Sequence, residues 1–143
     1  MSGPPNDLYE TMGLVRVVAV APEGRAVIEY RAMPGQCHSG GVVQGGFVSG
    51  WIDAAMAHAI MAKTGPERVP MTLELKVSFF APARPGVVTA EAWVIKAGRS
   101  TAFVEGTLTD AAGVLLAKAS STLTLVDRAK VEAASAAAMR ASA

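Results

Sequence analysis

Two features of this sequence carry the means for chemistry, and they lie about two helical turns apart along the chain. The first is Asp53, set inside Phe47-Val48-Ser49-Gly50-Trp51-Ile52-Asp53-Ala54-Ala55-Met56-Ala57-His58-Ala59-Ile60-Met61-Ala62, a run that is apolar nearly all the way round at helical spacing. A carboxylate among such neighbours protonates, pairs or is put to use. It reads either as a general base or nucleophile, or as one end of a thin polar stripe with Ser49 one turn earlier. The second feature is Gly40-Gly41-Val42-Val43-Gln44-Gly45-Gly46, directly before that run. If Gly45 and Gly46 open the helix, their N–H groups and the helix dipole suit a carbonyl oxygen that gains negative charge. On glycine content alone, a plain flexible loop is the other reading.

Other constellations fall away on geometry. Five residues of helix turn His58 about 140° from Asp53, so His58 is not its catalytic partner within the chain. Cys37 and His38 are adjacent, and neighbours in extended chain point in opposite directions, which argues against a nucleophile and base pair. One Cys and two His at no ligand spacing predict no metal site. The chain has no GxGxxG, no GxxxxGK[ST] and no GxSxG motif. Thirteen Lys and Arg against twelve Asp and Glu give a net charge of +1 without a basic cluster, so nucleic acid is not an expected partner. Met1 to Asp7 lacks the features of a signal peptide, and the apolar run is about a turn short of a bilayer and carries Asp53 and His58. No membrane association is expected. A soluble, cytoplasmic protein is, in keeping with a single cysteine.

The elements that must position these residues follow from periodicity. With 143 residues the chain predicts one domain over 1–127 and an Ala-rich helix or tail over 128–143. A short helix over 7–13, started by Asn6 or Asp7, precedes a hairpin of Leu14–Ala21 and Arg25–Met33 turned by Pro22-Glu23-Gly24. The apolar helix spans about Gly46 to Lys63 and stops at Thr64-Gly65-Pro66. Met71 to Phe80, Val87 to Lys96, Thr101 to Thr109 and Val114 to Val126 read as four strands of an antiparallel meander. Simple alternation puts Met71, Leu73, Leu75, Val77 and Phe79 on the buried face and Thr72 on the other. The result is an α+β chain, an antiparallel sheet wrapped around one long central helix. Such a sheet leaves two edges and part of the helix uncovered, which predicts a homo-oligomer.

Gly35 to Ala59, the strand end Phe79-Phe80-Ala81-Pro82 and the Gly98-Arg99 turn resemble the hotdog-fold acyl-CoA thioesterases of the phenylacetate-pathway (PaaI-like, 4HBT) type, over about residues 10 to 126. The family pattern is an Asn, a His-Gly-Gly six positions later, and an Asp nine positions after the His. Here Gln44-Gly45-Gly46 stands for His-Gly-Gly, Asp53 has the expected interval, and His38 takes the Asn place. The resemblance implies that Asp53 activates water or attacks a thioester carbonyl. It implies that the Gly45 N–H polarises that carbonyl, that Gly46 contacts the substrate, and that Gln44 and His38 act near the reacting group. Thr72 falls where related enzymes place a water-positioning Ser or Thr, and Arg84 and Arg99 are candidates for the phosphates of coenzyme A. The implied reaction turns an aryl or medium-chain acyl-CoA into free acid and CoA. Trp51, Met56, Phe79 and Phe80 read either as walls of a pocket for that acyl group or as plain core. Coenzyme A enters as part of the substrate, with no cofactor or metal. The implied assembly is a homodimer or homotetramer with sites between subunits. A non-catalytic acyl-CoA-binding hotdog module is the alternative, whereas a hotdog hydratase wants a His paired with an acid in a pattern absent here.

Overall fold

The computed structural model describes residues 7–142. Met1 to Asn6, on which the signal-peptide reading and the Asn6 helix start rest, lie outside the described residues. The elements run α1 (Asp7–Met12), β1 (Leu14–Ala21), β2 (Arg25–Ala32), a 3-10 turn (Pro34–Gln36), β3 (Cys37–His38), β4 (Val42–Val43), α2 (Gly45–Thr64), β5 (Arg68–Phe79), β6 (Gly86–Ala97), β7 (Thr101–Asp110), β8 (Leu115–Asp127) and α3 (Arg128–Ala141). Six strands form one antiparallel sheet in the order β1-β2-β6-β7-β8-β5, and α2 packs against all six. This is the α+β hotdog architecture expected from the sequence.

The helix α2 begins where the glycines allow and ends where they demand. Gln44 caps it in an extended conformation, and Gly65 ends it at a φ of 89°, a left-handed region that suits glycine, with its N–H on the Met61 carbonyl. Trp51, Ile52, Met56 and Ile60 are fully buried against the sheet, and each such side chain contributes about 1.5–3 kcal/mol of burial. Close approach depends on Gly106 of β7. A Cβ there would stand 2.7 Å from Ile52 Cγ2 and 3.0 Å from the Glu91 carbonyl oxygen, so only glycine lets α2 sit this deep. Tyr30 stacks on Trp51 at a ring separation of 5.9 Å. Burial first, and then the neighbouring Tyr9, push the Tyr30 phenol up to about 12.

Two expectations are corrected. The last four strands are not a meander in sequence order: β6, β7 and β8 are, but β5 pairs with β8 and never with β6. The link from Phe80 to Pro85 has six residues and two prolines. Its two prolines disfavour a tight hairpin, and it carries the chain past β8 and β7 so that β6 pairs with β2 and β7. The second correction concerns Thr72. The ladder to β8 shifts register between Thr72 and Glu74, leaving Leu73 as the extra residue of a β-bulge. Thr72 opposes buried Leu123, while Leu75 and Val77 oppose buried Ser121 and Ala119. The even residue therefore faces α2 before the bulge and the odd residues face it afterwards, which reverses the placement of Thr72.

Asp127 caps α3 by accepting from the Ala129 N–H at 2.9 Å, and α3 buries none of its residues.

Candidate active site

Asp53 emerges from the middle of α2, half-buried, toward β5. Its Oδ1 accepts a hydrogen bond from Thr72 Oγ1 at 3.0 Å. That contact exists because the bulge at Leu73 turns Thr72 inward. Ser49, one turn before, donates its hydroxyl to the Gly45 carbonyl at 2.9 Å, so it does not serve the carboxylate. His58 is likewise occupied: its Nδ1–H points to the Ala54 carbonyl at 2.8 Å. Among the described residues Asp53 thus has one side-chain partner, and its second oxygen is open.

The glycine turn sorts its donors. Gln44 Oε1 accepts from the Gly46 N–H at 2.7 Å, and the Gln44 carbonyl accepts from the Phe47 N–H at 3.0 Å. Gly46, expected to share in holding a carbonyl oxygen, has its donor taken by the cap. The Gly45 N–H has no partner among the described residues and sits at the positive end of α2. The side-chain amide nitrogen of Gln44 is free to donate. Beside Gly45 lies a cavity of about 390 Å³, walled by Val42, Val43, Val48, Phe79, Phe80 and Ala83. The Phe79 ring rests over the turn, 3.3 Å from where a Gly45 Cβ would be.

The remaining predicted residues are dispersed. His38 is exposed in the β3–β4 hairpin ahead of the turn, its Nδ1–H on the Ser39 carbonyl at 2.9 Å, with no bond to Asp53. Arg84 is exposed before β6 and Arg99 exposed after it. The twelve residues of β6 hold them about 40 Å apart. One chain therefore does not bring both arginines to the same phosphates. Gln36 was not singled out by the sequence, since a glutamine in a glycine-rich loop follows no pattern. It is buried, and its carbonyl accepts the Gln44 N–H at 2.9 Å.

Asp53 and the Gly45 N–H are separated within the chain by eight residues of helix, about 12 Å of rise. Reacting atoms meet at about 3–3.5 Å. No single carbonyl can touch both groups of one chain.

Comparison with known proteins agrees with this arrangement of sheet and helix. The model of the thioesterase superfamily (4HBT) matches residues 40–117, which include Gln44, Gly45, Asp53, Thr72, Arg84 and Arg99 and leave His38 outside. A protein of Saccharolobus solfataricus named as an esterase is 34% identical over 97 residues, 68% of this chain and 69% of that one. Among solved structures, a phenylacetic acid degradation-related protein of Ralstonia eutropha JMP134, described as a thioesterase, is similar at a TM-score of 0.77 and 29% identity, covering 85% of this chain and 92% of that one. A mutant of the phenylacetic acid degradation protein PaaI from Thermus thermophilus is similar at 0.73 and 26%, with 83% and 98% covered. The chain belongs to the thioesterase superfamily: it is a thioester hydrolase built on the hotdog fold.

Proposed function

We propose that the chain hydrolyses the thioester of an aryl or medium-chain acyl-CoA at a site shared by two subunits. The observation that carries this reading is the gap of about 12 Å between Asp53 and the Gly45 N–H. A second copy closes it by setting its own Gly45 opposite Asp53. The thioester carbonyl then lies on the Gly45 N–H of one subunit. Asp53 of the other takes a proton from water or attacks the carbonyl carbon itself, and the tetrahedral oxyanion rests on the N–H as the thiolate of coenzyme A leaves. Thr72 Oγ fixes the carboxylate and directs one of its oxygens. The apolar cavity beside Gly45 suits a compact hydrophobic acyl group. Arg84 and Arg99, one at each end of β6, are the candidate partners for the phosphates of coenzyme A. Like the absence of any metal from the scheme, the cytoplasmic setting belongs to this proposal.

Two variants test it. Asp53→Asn removes the base at nearly constant shape. Gly45→Pro removes the N–H, and proline is accepted at the first position of a helix. Gln44 already has the extended conformation that precedes proline, with φ of −62° and ψ of 135°. Each variant alone is expected to release thiol from a panel of acyl-CoAs about 10²–10³-fold more slowly than the native chain. When the two are mixed and allowed to exchange subunits, half the dimers are mixed and each holds one intact site, which restores about a quarter of native activity. Full activity of Asp53→Asn removes Asp53 from the mechanism. No recovery on mixing places the site within one chain.

A further inference from the structure

We infer that Gln36 is a positioning residue for hydrolysis: it holds the Gly45 N–H in its working direction through the backbone of Gln44. The inference rests on the reading of Gly45 as the oxyanion donor. The direction of that N–H is set by the peptide joining Gln44 to Gly45. Within α2 that peptide is fixed by the Gln44 carbonyl on the Phe47 N–H and by the Gln44 cap on the Gly46 N–H. From outside the helix, the tie on Gln44 itself is its N–H on the Gln36 carbonyl at 2.9 Å. One residue earlier the Val43 N–H is bonded to the Ala83 carbonyl at 2.8 Å.

The Gln36 carbonyl stays in place because its side chain is clamped at both ends. Oε1 accepts from the Met33 N–H at 2.9 Å, and Nε2 donates to the Thr11 carbonyl at 2.8 Å. The residue is 4% exposed, so water is a poor substitute for either bond. A primary amide supplies one acceptor and one donor in fixed orientation, which neither a hydrocarbon nor a carboxylate does. The anchor it grips is itself shared. Thr11 and Met12 end α1, where carbonyls lack helical partners, and the Trp51 Nε1–H takes the Met12 carbonyl at 2.7 Å. The end of α1 therefore joins the turn, through Gln36, to α2, through Trp51. A displacement of about an ångström at the donor is enough to weaken its hold on the transition state.

The test compares the native chain with Gln36→Leu and Gln36→Glu by acyl-CoA hydrolysis and by the backbone amide resonances of Gln44 and Gly45. Gln36→Leu, where it folds, is expected to lower kcat at least about tenfold with KM within about twofold, and to shift both resonances. Gln36→Glu keeps the shape and separates positioning from simple destabilisation. As a neutral acid it can accept from Met33 and donate to Thr11, whereas its carboxylate has no donor for Thr11. Its rate relative to the native chain is expected to rise as pH falls, with the amide resonances returning toward native positions. A ratio that stays flat with pH, or Gln44 and Gly45 resonances at native positions in the variants, overturns the inference. A native chain that hydrolyses no acyl-CoA defeats the catalytic reading, while the resonances still decide whether Gln36 holds the turn.

Discussion

A carboxylate halfway along an apolar helix is tolerated here because it is neither alone nor deep. Asp53 is half-buried and has Thr72 Oγ as a donor at 3.0 Å. A side-chain hydrogen bond is worth about 0.5–1.5 kcal/mol. The value of this one for function is directional, since it leaves the second carboxylate oxygen free to meet water or a carbonyl carbon. Thr72→Val keeps the shape and deletes the donor. We expect kcat to drop about tenfold, with Thr72→Ser close to native. Steady-state kinetics on the best acyl-CoA decides it, and an unchanged kcat in Thr72→Val ends the role assigned to this residue.

At the scale of elements, the parts that were legible in the sequence are those with a strong local signature. The run from Phe47 to Ala62 announces a helix by its composition, and Gly65-Pro66 announces its end. The Pro22-Glu23-Gly24 turn marks the first hairpin, and the order of elements fixes the architecture. What escaped is what depends on a partner strand. The bulge at Leu73 is one extra residue in a regular alternation, with no glycine or proline to flag it, and only pairing with β8 reveals it. The same holds for β5 crossing to β8, and for Gln36, whose side chain joins the nearby Met33 N–H to the Thr11 carbonyl 25 residues away while its own carbonyl takes the Gln44 N–H. Asp53 and Gly45 stand out in the sequence as chemical groups, whereas the bonds that support them, from Thr72 and Gln36, do not. The C-terminal element follows the opposite logic. The helix α3 has a good cap and a helix-forming composition, yet buries nothing, and an isolated helix of its 14 residues is marginal in water. Ending the chain after Lys130 retains the Arg128 contacts to the Pro66 and Glu67 carbonyls. That truncation is expected to move the thermal midpoint by less than about 4 °C. A larger loss means that α3 packs on something in the assembled protein.

For the whole molecule the decisive fact is an edge. Strand β5 is twelve residues long, pairs on one side with β8 and presents its other side unpaired. Soluble proteins guard such an edge with charge or proline, or cover it. Here Leu73 and Phe79 are 65% and 55% exposed along it, and Met71 is exposed as well. Asp53 opens toward the same strand through Thr72. If a second copy covers this edge, assembly and chemistry are one event, because the partner that shields Leu73 also delivers the Gly45 N–H. Met71→Lys with Leu73→Lys places two like charges on each of the facing edges. Both side chains are exposed, so the folded chain should lose little stability, but the edges should repel. Sedimentation should show monomers at concentrations where the native chain is dimeric or larger, and hydrolysis should fall with the fraction of assembled protein, recovering as concentration or salt is raised. A double variant that sediments as a monomer and still turns over at the native rate would show that one subunit holds a complete site.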